Sequence, residues 1–353
     1  MECADPVRHD PRQVLNNGAV RATVKDVAAR AGVSPKTVSN VIHGVVFVRP
    51  ETRERVERAL AELDYVPNLG ARGLRNGRYG LIALALPDLS TAYSAELAHH
   101  FVEEAHSRGW SLQIEETAAE PGRERDLLSR ARSHLVDGLV LNPVSLADSA
   151  VPTVLGPLPP TVLIGEVVQD RADHVGVDSV QASRDVAEHL LATGRRRIAA
   201  VGTPPVGVET AAALQRTEGY RAALVAAGVV LDPDLEIPVR YWTTELAVEA
   251  TRAHLARHPV PDAFLCFTDS MALGVLSVLW ERGLLVPDDV AVAGFDDVAS
   301  ARYAVPPLTT VAFDLRGYAA AALDLLSERI ADPGRPPRQV VFPHRVVVRA
   351  STG

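Results

Sequence analysis

The stretch that most constrains this chain is Thr23 to His43, TVKDVAARAGVSPKTVSNVIH. Its apolar residues follow helical spacing in two short runs: Val24, Val27, Ala28 and Ala31, then Val38, Val41 and Ile42. Thr23 stands three residues before Asp26, the spacing of a capping box, in which side chains satisfy two orphan backbone N–H groups. Gly32 falls where the chain must turn, and Val33 can plug the angle between the helices. Ser34 is a cap candidate for the second helix, and Pro35 suits its first position because an N–H there would be unpaired anyway. Pro35, Lys36, Ser39, Asn40 and His43 are left on the outer side.

Two helices this short bury too little to stand alone. Arg49-Pro50-Glu51-Thr52 opens a third helix in which Val56, Leu60 and Leu63 are spaced to cover the first two. The pattern predicts a three-helix helix-turn-helix headpiece whose second helix enters the DNA major groove. A net charge of −8 suits such a role only once it is divided. Residues 21–78 carry +5 and the remaining chain −13. Phosphate attraction needs a local basic surface, and this distribution places one on the headpiece and linker.

Residues 1–20 lack periodicity and read as a disordered tail, residues 21–67 as the headpiece, and residues 68–78 as a short basic linker. From Tyr79 strand-like and helix-like runs alternate, beginning with LIALAL at 81–86. Such alternation predicts βαβ units and parallel sheets, with ligands held at the carboxyl ends of the strands. About 270 residues is large for a single sheet, so two similar lobes are expected over 79–353.

Several segments carry a more specific signal: TVKDVAARAGVSPKTVSNVIHG, RPETRERVERALAELDYVPN, VDGLVL, TEGYRAAL, TDSMALG, VPDDVAVAGFDD and PPLTTV. In this order and spacing the chain resembles the lac-repressor (LacI/GalR) family of bacterial transcription regulators from about Thr23 to Thr352. The resemblance implies an α/β core of two Rossmann-like lobes, of the periplasmic-binding-protein type, behind an N-terminal all-α helix-turn-helix headpiece. It implies three crossings between lobes, near Asp178, Thr309 and Val340. The first lobe then spans about 79–177 and 309–340, and the second about 178–308 and 341–350. It also implies a homodimer or tetramer on a pseudo-palindromic operator, with a small effector, a sugar or sugar derivative, between the lobes. An effector-independent regulator and one answering to a purine or nucleoside are the alternatives.

Residue roles follow from the same resemblance. Pro35, Lys36 and Asn40 match operator-selecting positions, where Lys can donate to guanine and Asn can pair with adenine. Ser34, Thr37 and Ser39 match phosphate-contacting hydroxyls, and Thr23 and His43 complete the DNA-facing set. Asn68, Ala71 and Leu74 match a hinge helix whose leucine wedges into the minor groove. Gly70 and Gly73 weaken that helix by about 1 kcal/mol each relative to Ala. In the core, Tyr93, Asn142, Arg216, Trp242, Asp269 and Asp296 match effector-contacting positions, with Thr268 in place of a frequent Asn. Asp269 has a second reading, as a cap for the helix at Met271.

No GxGxxG after a strand, P-loop, GxSxG or HExxH motif is present, and the two cysteines, Cys3 and Cys266, form no metal or disulfide pattern. A non-enzymatic binder without metal or cofactor is therefore expected. The N-terminal residues mix acids and Pro where a signal peptide has an apolar core, and no run approaches a membrane span, so a cytoplasmic protein is expected.

Overall fold

The computed structural model describes residues 22–43, 47–65, 79–132, 136–144, 158–208 and 210–353. The chain divides into two compact units, residues 1–72 and 73–353. The residues assigned to a tail and a hinge, including Asn68, Ala71 and Leu74, lie outside the described ones.

In the first unit, α1 (Val24–Ala31), α2 (Pro35–His43) and α3 (Pro50–Glu62) enclose a small core of Val27, Ala28, Ala31, Val38, Val41, Val56 and Ala59. The Thr23 capping box forms: Thr23 N–H and hydroxyl donate to Asp26 Oδ2 at 2.8 and 2.7 Å, and Asp26 N–H returns to Thr23 Oγ1. Gly32 ends α1 at φ 64°, a left-handed conformation that Gly adopts without side-chain strain. Ser34 Oγ accepts from Thr37 N–H at 3.2 Å and so caps α2. Arg49 precedes α3 without a side-chain cap. Val48, Leu60, Leu63 and Tyr65 pack against the core from outside.

The second unit holds two six-stranded sheets. The first contains β1 (Leu81–Leu86), β2 (Ser111–Glu116), β3 (Gly138–Leu141), β4 (Thr161–Ile164), β5 (Asp173–Val177) and, far along the chain, β11 (Gln339–Phe342). Its order is β11-β5-β4-β3-β1-β2, and all pairings are parallel. Helices α4 (Ala92–Ser107) and α5 (Pro121–Arg132) connect its first three strands. The second sheet contains β6 (Ile198–Thr203), β7 (Glu236–Pro238), β8 (Ala263–Cys266), β9 (Ala291–Phe295), β10 (Thr309–Phe313) and β12 (His344–Val347). Its order is β12-β10-β9-β8-β6-β7, and only β12 runs antiparallel to its neighbour. Helices α6 (Ser179–Ala192), α7 (Ala211–Ala226), α8 (Thr244–Leu255), α9 (Asp269–Glu281) and the short α10 (Ala299–Arg302) belong to this lobe.

Two crossings differ from the sequence reading. β10 lies in the second sheet, so the chain leaves that lobe after Phe313 and not near Thr309. Asp314 then caps α11 (Leu315–Ala331), whose Tyr318, Ala322, Leu323 and Leu326 join the core of the first lobe. The last crossing falls at Pro343, between β11 and β12, beyond Val340. Proline has no ladder donor to offer, which suits the point where one sheet hands the chain to the other.

Candidate functional site

The carboxyl ends of strands from both sheets converge on a cavity of about 550 Å³ between the lobes. From the first lobe, Tyr93 enters it from the first turn of α4, where Thr91 Oγ1 accepts from Ser94 N–H. Tyr93 also lies 6.4 Å from Phe313, ring centre to ring centre, at the chain crossing. Asn142 follows β3, and Gly165 and Glu166 follow β4. Gly165 has φ 91°, and a Cβ there would meet Asn142 Oδ1 at 2.6 Å, so Gly is what lets this strand end pass so near.

From the second lobe come Arg216 on α7, Trp242 before α8, Thr268 before α9 and Asp296 after β9. Arg216 is buried, and each terminal nitrogen of its guanidinium donates one hydrogen bond. Nη1 donates to Phe267 O, and Nη2 to Glu166 Oε1 at 3.1 Å. Its guanidinium lies 3.6 Å from the Phe295 ring centre and 5.2 Å from that of Trp242. Trp242 donates its indole N–H to Gly202 O at 3.1 Å, which orients the ring. Asp296 is only 5% exposed and has φ 117°, a strained conformation for a residue with a Cβ. Burial raises its carboxyl well above the ordinary carboxylate range; Arg216 opposes that rise, while Asp269 and Glu166 add to it.

Asp269 does not reach the cavity. It is wholly buried, accepting from Thr310 Oγ1 at 2.6 Å and from Val298 N–H at 3.0 Å. Nor does it cap α9, since Thr268 Oγ1 accepts from Met271 N–H at 3.2 Å. Its work is structural: with the Asp296 N–H bond to Val311 O, it pins the loop that presents Asp296. Burial raises its carboxyl, against hydrogen bonds from Thr310 and Val298.

Nothing in the sequence singles out Glu166, yet it joins the lobes. Beyond Arg216, it accepts from Ser179 Oγ at 2.9 Å, and its backbone carbonyl accepts from Gln215 Nε2. Two further contacts tie the lobes: Ala211 N–H donates to Val144 O, and Ala299 N–H donates to Glu96 Oε1 at 2.7 Å. The only signal in the sequence is an acid placed directly after a buried strand, which is too common to point to a role.

In the headpiece, Pro35 and Lys36 are exposed, and Ser39 and Asn40 are partly exposed on the helix that opens at Ser34. Ser34 and Thr37 share a hydroxyl–hydroxyl bond of 2.9 Å, and the Thr23 side chain is spent in its capping box. The His43 side chain lies outside the described atoms.

A helix-turn-helix unit on the same chain as a two-lobed ligand cleft defines a DNA-binding regulator of the ligand-responsive class. Residues 23–68 match the family profile of bacterial regulatory proteins, lacI family, and residues 187–352 match that of a periplasmic binding protein-like domain. The HTH-type transcriptional repressor PurR of Histophilus somni is 30% identical over 332 residues, covering 94% of this chain and 98% of the relative. A solved complex of the transcriptional regulator CelR with cellobiose is 32% identical, with TM-score 0.69 and coverage of 94% and 100%. The lac repressor dimer bound to operator and the anti-inducer ONPF is 27% identical, with TM-score 0.78 and coverage of 94% and 99%. The chain belongs to the lacI family of bacterial transcription regulators.

Proposed function

We propose that this regulator is a repressor that binds a pseudo-palindromic operator as a homodimer, with its affinity set by a sugar or sugar derivative in the interlobe cavity. The observation that carries the effector assignment is the grouping of two aromatic side chains, Tyr93 and Trp242, with the buried carboxyl group of Asp296 around one cavity. Ring faces can lie on aromatic faces, and hydroxyls can exchange hydrogen bonds with the carboxyl group. The cellobiose complex of CelR is a relative with such an occupant. Asn142 and Thr268, also on the cavity wall, offer further hydroxyl partners.

Lys36 and Asn40 are assigned to base edges, and Ser34, Thr37 and Ser39 to phosphates. The Thr23 hydroxyl is already used by Asp26, so Thr23 contributes by holding α1 in place. The dimer is supported by large apolar side chains that this chain leaves in solvent on the second lobe: Trp280, Tyr303 and Val305 are 81%, 83% and 92% exposed. The chain acts by binding and not by catalysis, in the cytoplasm where its DNA is. Among the described residues no helix is long and apolar enough to cross a membrane.

Coupling is thermodynamic: an effector alters operator affinity by as much as it prefers one lobe arrangement over the other. The test is titration of a neutral sugar panel, cellobiose included, against the protein–DNA complex, followed by fluorescence anisotropy. A saturable change in DNA binding supports the reading. A response to purine bases alone transfers the site to the purine reading, which similarity to PurR favours. DNA binding that no small molecule alters leaves a constitutive regulator.

A further inference from the structure

We propose that the cavity selects by charge, admitting uncharged polyhydroxy rings and rejecting the same rings when they carry a carboxylate or a phosphate. This rests on the sugar reading above and narrows it. Among the described residues, the one buried cation on the cavity wall is Arg216, and an arginine in such a place would ordinarily receive an anionic ligand. Here its two terminal nitrogens are already given to Phe267 O and Glu166, and its face lies against Phe295. Its Nε–H is sealed from solvent without a partner, so that edge is not open to a bidentate anion, and its charge is already paired with Glu166.

Carboxylates outnumber this cation. Glu166 and Asp296 both lie on the wall, and Asp296 forms no ion pair among the described residues. Asp88 and Glu116 add two more acids toward the first lobe. The other lining cation, Arg240, is exposed and sits 5.4 Å from the Tyr241 ring centre. A hydroxyl donor satisfies Asp296 in either protonation state. An ionised ligand would instead lose its hydration against a wall whose buried cation is already neutralised by Glu166, with the carboxylates of Asp88 and Glu116 nearby.

The test uses matched pairs and one inorganic probe on the full-length chain. Calorimetric titration compares glucose with glucuronate, cellobiose with cellobionate, and ribose with ribose 5-phosphate. The expected result is that any sugar that binds does so at least about 100-fold more tightly than its anionic partner. An anionic partner that binds as tightly as its neutral form, or more tightly, overturns the proposal.

Thermal stability in sodium sulfate, against sodium chloride at equal ionic strength, is read in parallel. Wild type should show no sulfate-specific stabilisation. Glu166→Gln, which releases Arg216, and the double variant with Asp296→Asn should both gain it, because a ligand that binds only the folded state raises its melting temperature. Sulfate stabilisation of wild type equal to that of the variants overturns the proposal, as does its absence in both variants. If neither member of any sugar pair binds while the sulfate results are as expected, the sugar reading fails, the admission of polyhydroxy rings fails with it, and only the exclusion of anions stands.

Discussion

Asp269 and Asp296 sit in similar settings, TDS and GFDD, each just past a buried strand, yet one faces the cavity and the other is locked into the lobe. The sequence places both at strand ends, but their separation depends on Thr310, a residue of β10 whose hydroxyl reaches Asp269. Long-range partners of this kind leave no periodic trace, and for the same reason Glu166 is inconspicuous. The Asp269 environment has a consequence for pH. Burial raises its carboxyl from the ordinary value of 3.8 to about 7, so the folded chain keeps that proton to higher pH than the unfolded chain does. The stability linked to this group is therefore complete below about pH 4 and is lost as pH rises through the folded pKa. Chemical denaturation of wild type and Asp269→Asn between about pH 5 and 8 should show wild type losing ground to the variant as pH rises. A difference that does not vary with pH contradicts this account of Asp269.

Among elements, the starts of helices are harder to read than their existence. α7 begins at Ala211, well before the TEGYRAAL motif, because it opens with AAALQR, with Thr210 as cap and no clear apolar stripe. The same motif contains Gly219, where a Cβ would lie 2.0 Å from Val180 O and 2.9 Å from Arg184 N on α6. Gly219→Ala should gain about 1 kcal/mol of helix propensity, but overpacking a backbone contact costs about 1–3 kcal/mol. With two backbone atoms in the way, the clash should win and lower the melting temperature; a rise would refute this packing. At the other end of the chain, Arg49 leaves α3 uncapped. Arg49→Ser should stabilise the headpiece by about 1 kcal/mol in denaturant titrations and at the same time weaken DNA binding by removing a cation. Unchanged DNA affinity would show that Arg49 has no phosphate near it.

At the scale of the whole molecule, the two-part plan is plain in the sequence. A helical headpiece with three apolar faces and a long β/α alternation each have their own period, and both are legible without any neighbour. The crossings lie a few residues beyond where the sequence puts them, because β10 and β11 each end in one lobe and pass directly to the other, with Asp314 and Pro343 as the only separators. Charge is divided in the same two-part way, so operator binding should fall steeply with salt even though the chain is acidic overall. Anisotropy titrations across a salt series check this, and a flat response would remove the basic headpiece from the interface.

The central claim is that two copies of α2 read one symmetric DNA site. Selection of the full-length chain on random-sequence duplexes, followed by sequencing, tests it most directly. The account predicts enrichment of a pseudo-palindrome, with Lys36→Ala relaxing the same position in both half-sites. Enrichment of an asymmetric site, or of none, would contradict it.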